Sequence, residues 1–182
     1  MARSTNKGSF APAFCNVLGT MLLLGVIALC LPIAVPRIMG YEVFEVVSGS
    51  MEPAIPLGSV VYVHAVEPES VQADEVIAFY DADGDVVTHR VVGNRTSMGE
   101  FVTKGDANNA EDPNPVPYDA LLGRVERSVP GLGAVMALYA SNVGKVYLMM
   151  AAACGVMLNM LAERLRTVRR AKIKARLAQA AA

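Results

Sequence analysis

The chain has 182 residues and a formal net charge of -1, which excludes an overall basic signal for nucleic acid. Apolar residues make up 53% and mean hydropathy is +0.38, both high for a soluble protein, and the excess is concentrated at the two ends. The three cysteines, Cys15, Cys30 and Cys154, lie in those apolar ends, so no disulfide framework is read from them and they are expected to be buried apolar side chains.

Residues 11–35 carry no charge, and 17–31 are almost wholly apolar. A hydrocarbon core of roughly 30 Å needs about 20 helical residues, so this segment is long enough to span it. Arg3 and Lys7 precede it and favour a cytoplasmic N-terminus. A cleaved secretory signal predicts a shorter apolar core and a small-x-small exit, which Pro32-Ile33-Ala34-Val35-Pro36-Arg37 does not supply. A lipoprotein signal predicts a small residue before its cysteine, but Leu29 precedes Cys30. The expectation is a short cytoplasmic N-terminus over 1–12 and an uncleaved transmembrane helix over 13–36.

The middle, 41–130, alternates short β-type runs with turn residues. Strands are expected at 60–66, 75–80, 85–92 and 101–104. Asp81-Ala82-Asp83-Gly84-Asp85 reads as the hairpin loop between the second and third of these. Its spaced acids suggest calcium, but Gly84 falls fourth rather than sixth and no glutamate fits the twelfth position. Residues 112–117 hold three prolines and cannot continue the strand at 101–104, because proline has no ladder donor.

Residues 131–162 hold an apolar stretch, 131–141, which reads as an interfacial lead-in or an earlier turn of the same helix, and a second expected transmembrane helix, 143–161. Lys145 snorkels towards the interface there. The basic residues Arg164, Arg166, Arg169, Arg170, Lys172, Lys174 and Arg176 follow, which reads as a cytoplasmic tail over 163–182. A soluble basic helix is the alternative for this segment. With both ends inside, the middle lies on the extracytoplasmic side.

Three segments of the middle carry chemistry. Ser50, in Val47-Ser48-Gly49-Ser50-Met51-Glu52-Pro53, is the candidate nucleophile; a serine hydroxyl needs a base within hydrogen-bond reach, and that base needs orienting. Gly49 is expected to permit a close approach that a side chain would block. His89, in Thr88-His89-Arg90-Val91-Val92, is the candidate base. In a strand it shares a face with Val87 and Val91, where desolvation favours its neutral, proton-accepting form. Asp106 and Asp112 both compete to orient the imidazole, and the residues alone do not separate them. Each is equally at home as a turn-forming aspartate in this Asn- and Pro-rich loop.

In this order the three segments resemble the active-site boxes of the type I signal peptidases. His89 makes the likeness closest to the histidine-containing branch of endoplasmic-reticulum, archaeal and sporulation enzymes, where histidine replaces a lysine base. The resemblance covers about 46–127. It implies a mainly β catalytic domain flanked by N- and C-terminal transmembrane helices. It also implies a membrane-bound serine endopeptidase that removes signal peptides from exported preproteins and prefers small side chains one and three residues before the cut.

By that likeness Asp112 corresponds to the acid of the triad, Asp106 to a second important acid nearby, and the Ser48 hydroxyl to an oxyanion donor. No cofactor or metal is implied. The partners implied are preprotein signal peptides and the lipid bilayer, and the location a prokaryotic plasma membrane with the catalytic domain outside. Lys104 and His64 fall outside the histidine box and read as structural. Ala73, before Asp74, stands where the family usually has glycine. Two other readings remain: a non-catalytic membrane-anchored β module that binds exported proteins, and a related serine protease with one dedicated partner.

Overall fold

The computed structural model describes residues 10–180. The chain divides into two compact units: Pro32–Ala140, and the helical segments up to Leu31 and from Ser141 onward.

The first unit is built on one antiparallel sheet. Its strands are β1 (Tyr41–Glu45), β2 (Val60–His64), β3 (Val76–Tyr80), β4 (Val86–Arg95), β5 (Glu100–Lys104), β6 (Val116–Pro117) and β7 (Leu121–Val129). Across the sheet they run β1-β2-β7-β3-β4-β5-β6. Strands β2 to β5 are the four expected from the sequence. β1 and β7 were not expected: β1 is a five-residue run with two glutamates, and β7 is broken by Gly123, Arg124, Glu126 and Arg127. Residues 112–117 do not extend β5. They turn back, and Val116–Pro117 pairs beside it, where the edge position spares Pro117 a ladder donor. The β3–β4 hairpin is closed by Asp81, whose Oδ1 accepts the N–H groups of Asp83 and Asp85 at 2.9 Å.

Strand alternation gives the sheet two apolar faces. On one, Ile77, Phe79, Val91, Phe101 and Val116 bury together with Val71. On the other, Ala78 packs with Val46, Met51, Ile55, Val61 and Val63. Phe101 and Met51 are almost fully buried, and each such side chain contributes roughly 1.5–3 kcal/mol. The lead-in at 131–141 forms its own short helix, α2 (Gly133–Ala140), and Leu132 and Met136 cover Val43, Val60 and Tyr62.

The first helix, α1 (Phe10–Ile38), runs through Pro32 and Pro36. Pro36 has no N–H, so the Pro32 carbonyl lacks its intrahelical donor. Tyr62 fills that gap, its hydroxyl donating to Pro32 O at 2.9 Å. The third helix, α3 (Asn142–Ala180), does not stop at the basic block but carries it as continuous helix.

Both α1 and α3 are long and apolar enough to cross a membrane. Met21, Leu24, Ile27, Met149, Met150 and Met157 lie exposed on them, an outward apolar surface that fits a membrane protein. Gly19 and Gly155 allow the two helices to touch, since a Cβ on Gly19 would lie 2.7 Å from the Gly155 carbonyl. The three cysteines are free and, contrary to expectation, not buried: Cys154 is exposed and the other two are intermediate, because these helices turn apolar surface outward. Arg3 and Lys7 lie outside the described residues.

Candidate active site

His89 sits in the middle of β4, paired across β3 with Ile77 and therefore on the face of Phe79 and Val91. It is only 9% exposed, with the Phe79 ring edge-on at 6.3 Å. Its Nδ1 lies 2.5 Å from Asp112 Oδ2. An ionised carboxylate only accepts, so Nδ1 carries the proton and donates it, and Nε2 keeps a lone pair free to take a proton.

Asp112 is itself held twice by β5. Thr103 Oγ1 donates to its Oδ2 at 2.7 Å, and its backbone N–H donates to Thr103 O at 2.8 Å. Thr103 is fully buried and was not anticipated. The signal for it was present: it lies two residues beyond Phe101 on β5 and opposite Val91, on the histidine's face. Thr103→Val removes one hydrogen bond to a charged acceptor; on the peptidase reading that the resemblance implies, turnover in a peptide-cleavage assay should fall about tenfold with KM unchanged, and Thr103→Ser should restore it.

Asp106, six residues earlier, takes a different partner. Arg90 donates to it from Nε at 2.8 Å and from Nη2 at 2.6 Å, a bidentate pair, while Nη1 donates to the Asp74 carbonyl at 2.7 Å. Among the described residues Asp74 is the one non-glycine with a left-handed backbone, φ 71, which aspartate tolerates. The unusual conformation therefore falls after Ala73, and Ala73 in place of glycine causes no conflict.

The hydrogen bonds from Arg90 hold the Asp106 carboxyl below the usual carboxylate range, although burial opposes them. A lowered folded-state pKa contributes stability that is present above the unfolded value of about 4 and is lost as pH falls through the folded one. Thermal melts over that acidic window should show Asp106→Asn losing less stability per pH unit than the native protein.

Ser50 lies in the loop between β1 and β2. Met51 anchors that loop in the core, and Ile55 N–H donates to Met51 O at 2.8 Å. The Ser50 carbonyl accepts the N–H of Ala107 at 2.8 Å, which ties the serine to the turn directly after β5. Gly105 makes this approach possible: a Cβ there would lie 2.7 Å from Ser50 O and 2.8 Å from Asn108 Nδ2. At Gly49 a Cβ would meet only the Glu52 side chain, at 3.6 Å or more, and the sterically demanding glycine of the site is therefore Gly105. Gly105→Ala should displace the serine and lower turnover about 10²-fold, the cost of a misplacement near 1 Å, while Gly49→Ala stays close to native in the same assay.

The Ser48 and Ser50 hydroxyls are 3.3 Å apart. The structure thus joins His89 to Asp112 and Thr103, Arg90 to Asp106, and Ser48 to Ser50. The Ser50 hydroxyl bonds to Ser48, and among the described residues no hydrogen bond joins it to the imidazole. Lys104 pairs in register with Arg90 and adds to the positive surroundings of Asp106. His64 is exposed at the end of β2, its ring 5.2 Å from that of Tyr41.

No protein-family model matches the chain. Over 85 residues it is 40% identical to signal peptidase I W of Bacillus subtilis (strain 168), and the alignment covers 44% of this chain and 44% of that protein. The chain therefore spans less than half the length of the curated relative it matches. That likeness, on a curled antiparallel sheet with a long apolar N-terminal helix, supports kinship with the type I signal peptidases.

Proposed function

We propose that this chain is a membrane-bound serine endopeptidase of the histidine-containing kind, removing signal peptides from exported preproteins. The observation that carries the reading is the chain of bonds from Thr103 through Asp112 to His89, beside a serine loop tied to the turn after β5. Asp112 holds the imidazole with its proton on Nδ1, so Nε2 is the basic end. Nε2 takes the Ser50 proton as Oγ attacks the scissile carbonyl. The proton then passes to the leaving amine as the C–N bond breaks, leaving an acyl-enzyme on Ser50. Water, deprotonated by the same nitrogen, attacks the ester and returns the serine.

The Ser48 hydroxyl, beside Ser50 Oγ, and the Ser50 N–H are the donors to the developing oxyanion. Such a donor is worth roughly 3–4 kcal/mol in the transition state. Asp106 supports the site at one remove, through Arg90, the residue next to His89. α1 and α3 anchor the chain with both termini in the cytoplasm and the sheet outside, which places enzyme and signal helix in one bilayer and raises their effective concentration.

The test is reconstitution of the purified chain in lipid vesicles with a panel of preproteins, followed by mapping of new N-termini. The expected product starts directly after a small-x-small sequence at the end of the signal helix. Preproteins left intact across the panel would overturn the peptidase reading and return the chain to the non-catalytic binding module.

A further inference from the structure

A groove of about 440 Å³ opens beside the imidazole on its own face of the sheet. Phe79 and Val87 line it with His89 and Asp112, the segment from Pro113 to Pro117 forms a wall, and Tyr80 and Asp81 stand at the β3–β4 hairpin. Ser48 and Ser50 do not border it. Apolar surface predominates, and no lysine or arginine lies among the described residues that line it. Its hairpin carries Asp81, Asp83 and Asp85 without a compensating base. Asp81 Oδ1 is occupied by two backbone N–H groups, but the carboxylate keeps its charge.

We infer that this groove receives the segment of the substrate that follows the cut, and that it selects apolar side chains there together with a basic residue near the hairpin. The inference rests on the peptidase reading. In that chemistry the imidazole returns its proton to the leaving amine, so the first residues after the cut must pass alongside His89. The groove meets the imidazole directly and is continuous with the catalytic pair. An extended chain leaving along it places alternate side chains on Phe79 and Val87 and then reaches the acidic hairpin. The proline-rich wall leaves no continuous ladder of donors there, so recognition depends on side chains more than on strand addition.

Two measurements on the full chain in phosphatidylcholine vesicles test this. The first uses preproteins that share one signal and one cleavage site and differ in residues two to five after the cut. Burial of one apolar side chain predicts kcat/KM about tenfold higher for Val or Leu than for Asp or Glu in that stretch. A lysine near the hairpin adds about threefold, the scale of an exposed ion pair. Asp81→Asn, which keeps the carbonyl acceptor of the turn, should bring the ratio of lysine-bearing to uncharged cleavage rates back to about one, the readout being that ratio and not either rate alone. Equal rates across the series, or a lysine effect that survives Asp81→Asn, would overturn the inference.

The second measurement needs no cleavage. The Ser50→Ala chain is offered a preprotein with a photoreactive residue three positions after the designed cut. Cross-links should fall on residues 79–87 or 113–117. Ser50-dependent cleavage with cross-links elsewhere would sink the groove and spare the peptidase. Groove cross-links on a chain that cleaves nothing would do the reverse.

Discussion

Ser50→Ala and His89→Ala should each lower turnover by about 10⁶, and the double variant should be no worse than either single one. On the proposed mechanism, hydroxyl and imidazole act as one device. Without the imidazole the hydroxyl keeps its proton and barely attacks; without the hydroxyl the imidazole has no proton to take. A residual rate above that of water should survive in all three variants, because the proposed oxyanion donors, Ser48 and the backbone N–H of residue 50, are retained. The measurement is single-turnover cleavage of a reconstituted preprotein by the three variants, with circular dichroism and melting temperature as controls. Ser50 is half-buried at a loop bend, so its truncation should leave the melt within about 0.5 kcal/mol of native. Multiplying effects, each variant adding its own factor, would mean that the two residues act independently and that the proposed proton transfer is wrong. Native turnover in either single variant would mean the same.

The parts legible in the sequence are those set by local pattern. Short β-type runs bounded by turn residues announced β2 to β5, and the acid- and glycine-rich loop announced the hairpin between β3 and β4. Long apolar runs announced α1 and about the first half of α3. Illegible were elements that depend on partners far along the chain. β7 looks too polar for a central strand, yet it lies between β2 and β3, where Arg124 pairs with Glu75 at 2.9 Å. α2 was read as a lead-in because nothing local shows that Leu132 and Met136 settle on Val43 and Tyr62.

The candidate site divides in the same way. Residue chemistry made Ser50, His89 and the two acids candidates, and the resemblance of their three ordered segments to the signal-peptidase boxes is what grouped them as one expected constellation. The division of work between the acids follows from strand register and loop path, which bring Asp112 to Thr103 and His89, and Asp106 to Arg90. Gly105, not Gly49, supports the serine loop because the crowding comes from a carbonyl 55 positions away in sequence, invisible to any local reading.

Replacing the two acids one at a time should separate them sharply. Asp112→Asn should lower kcat by about 10⁴ with KM near native, the scale for an imidazole held in the wrong tautomer. Asparagine is nearly isosteric, and its amide N–H₂ can donate to Nδ1. The ring then keeps its proton on Nε2, the nitrogen that must accept one from Ser50. His89 and Thr103 share Oδ2, so the amide that replaces it no longer accepts from the Thr103 hydroxyl, which must turn to accept the second amide N–H; the Asp112 backbone bond to Thr103 survives, so the fold is retained and the loss is chiefly one of proton placement. Asp106→Asn keeps an acceptor for Arg90 and leaves the imidazole pair untouched, so its cost at neutral pH should be about tenfold, one charged hydrogen bond's worth. Nitrogen-resolved NMR of a ring-labelled chain reads the distinction directly: the neutral His89 tautomer should switch from Nδ1–H to Nε2–H in Asp112→Asn and stay unchanged in Asp106→Asn. If Asp106→Asn moves the tautomer or costs the larger factor, the orienting acid has been misassigned. If neither substitution moves it, the short His89–Asp112 contact does not govern where the proton sits.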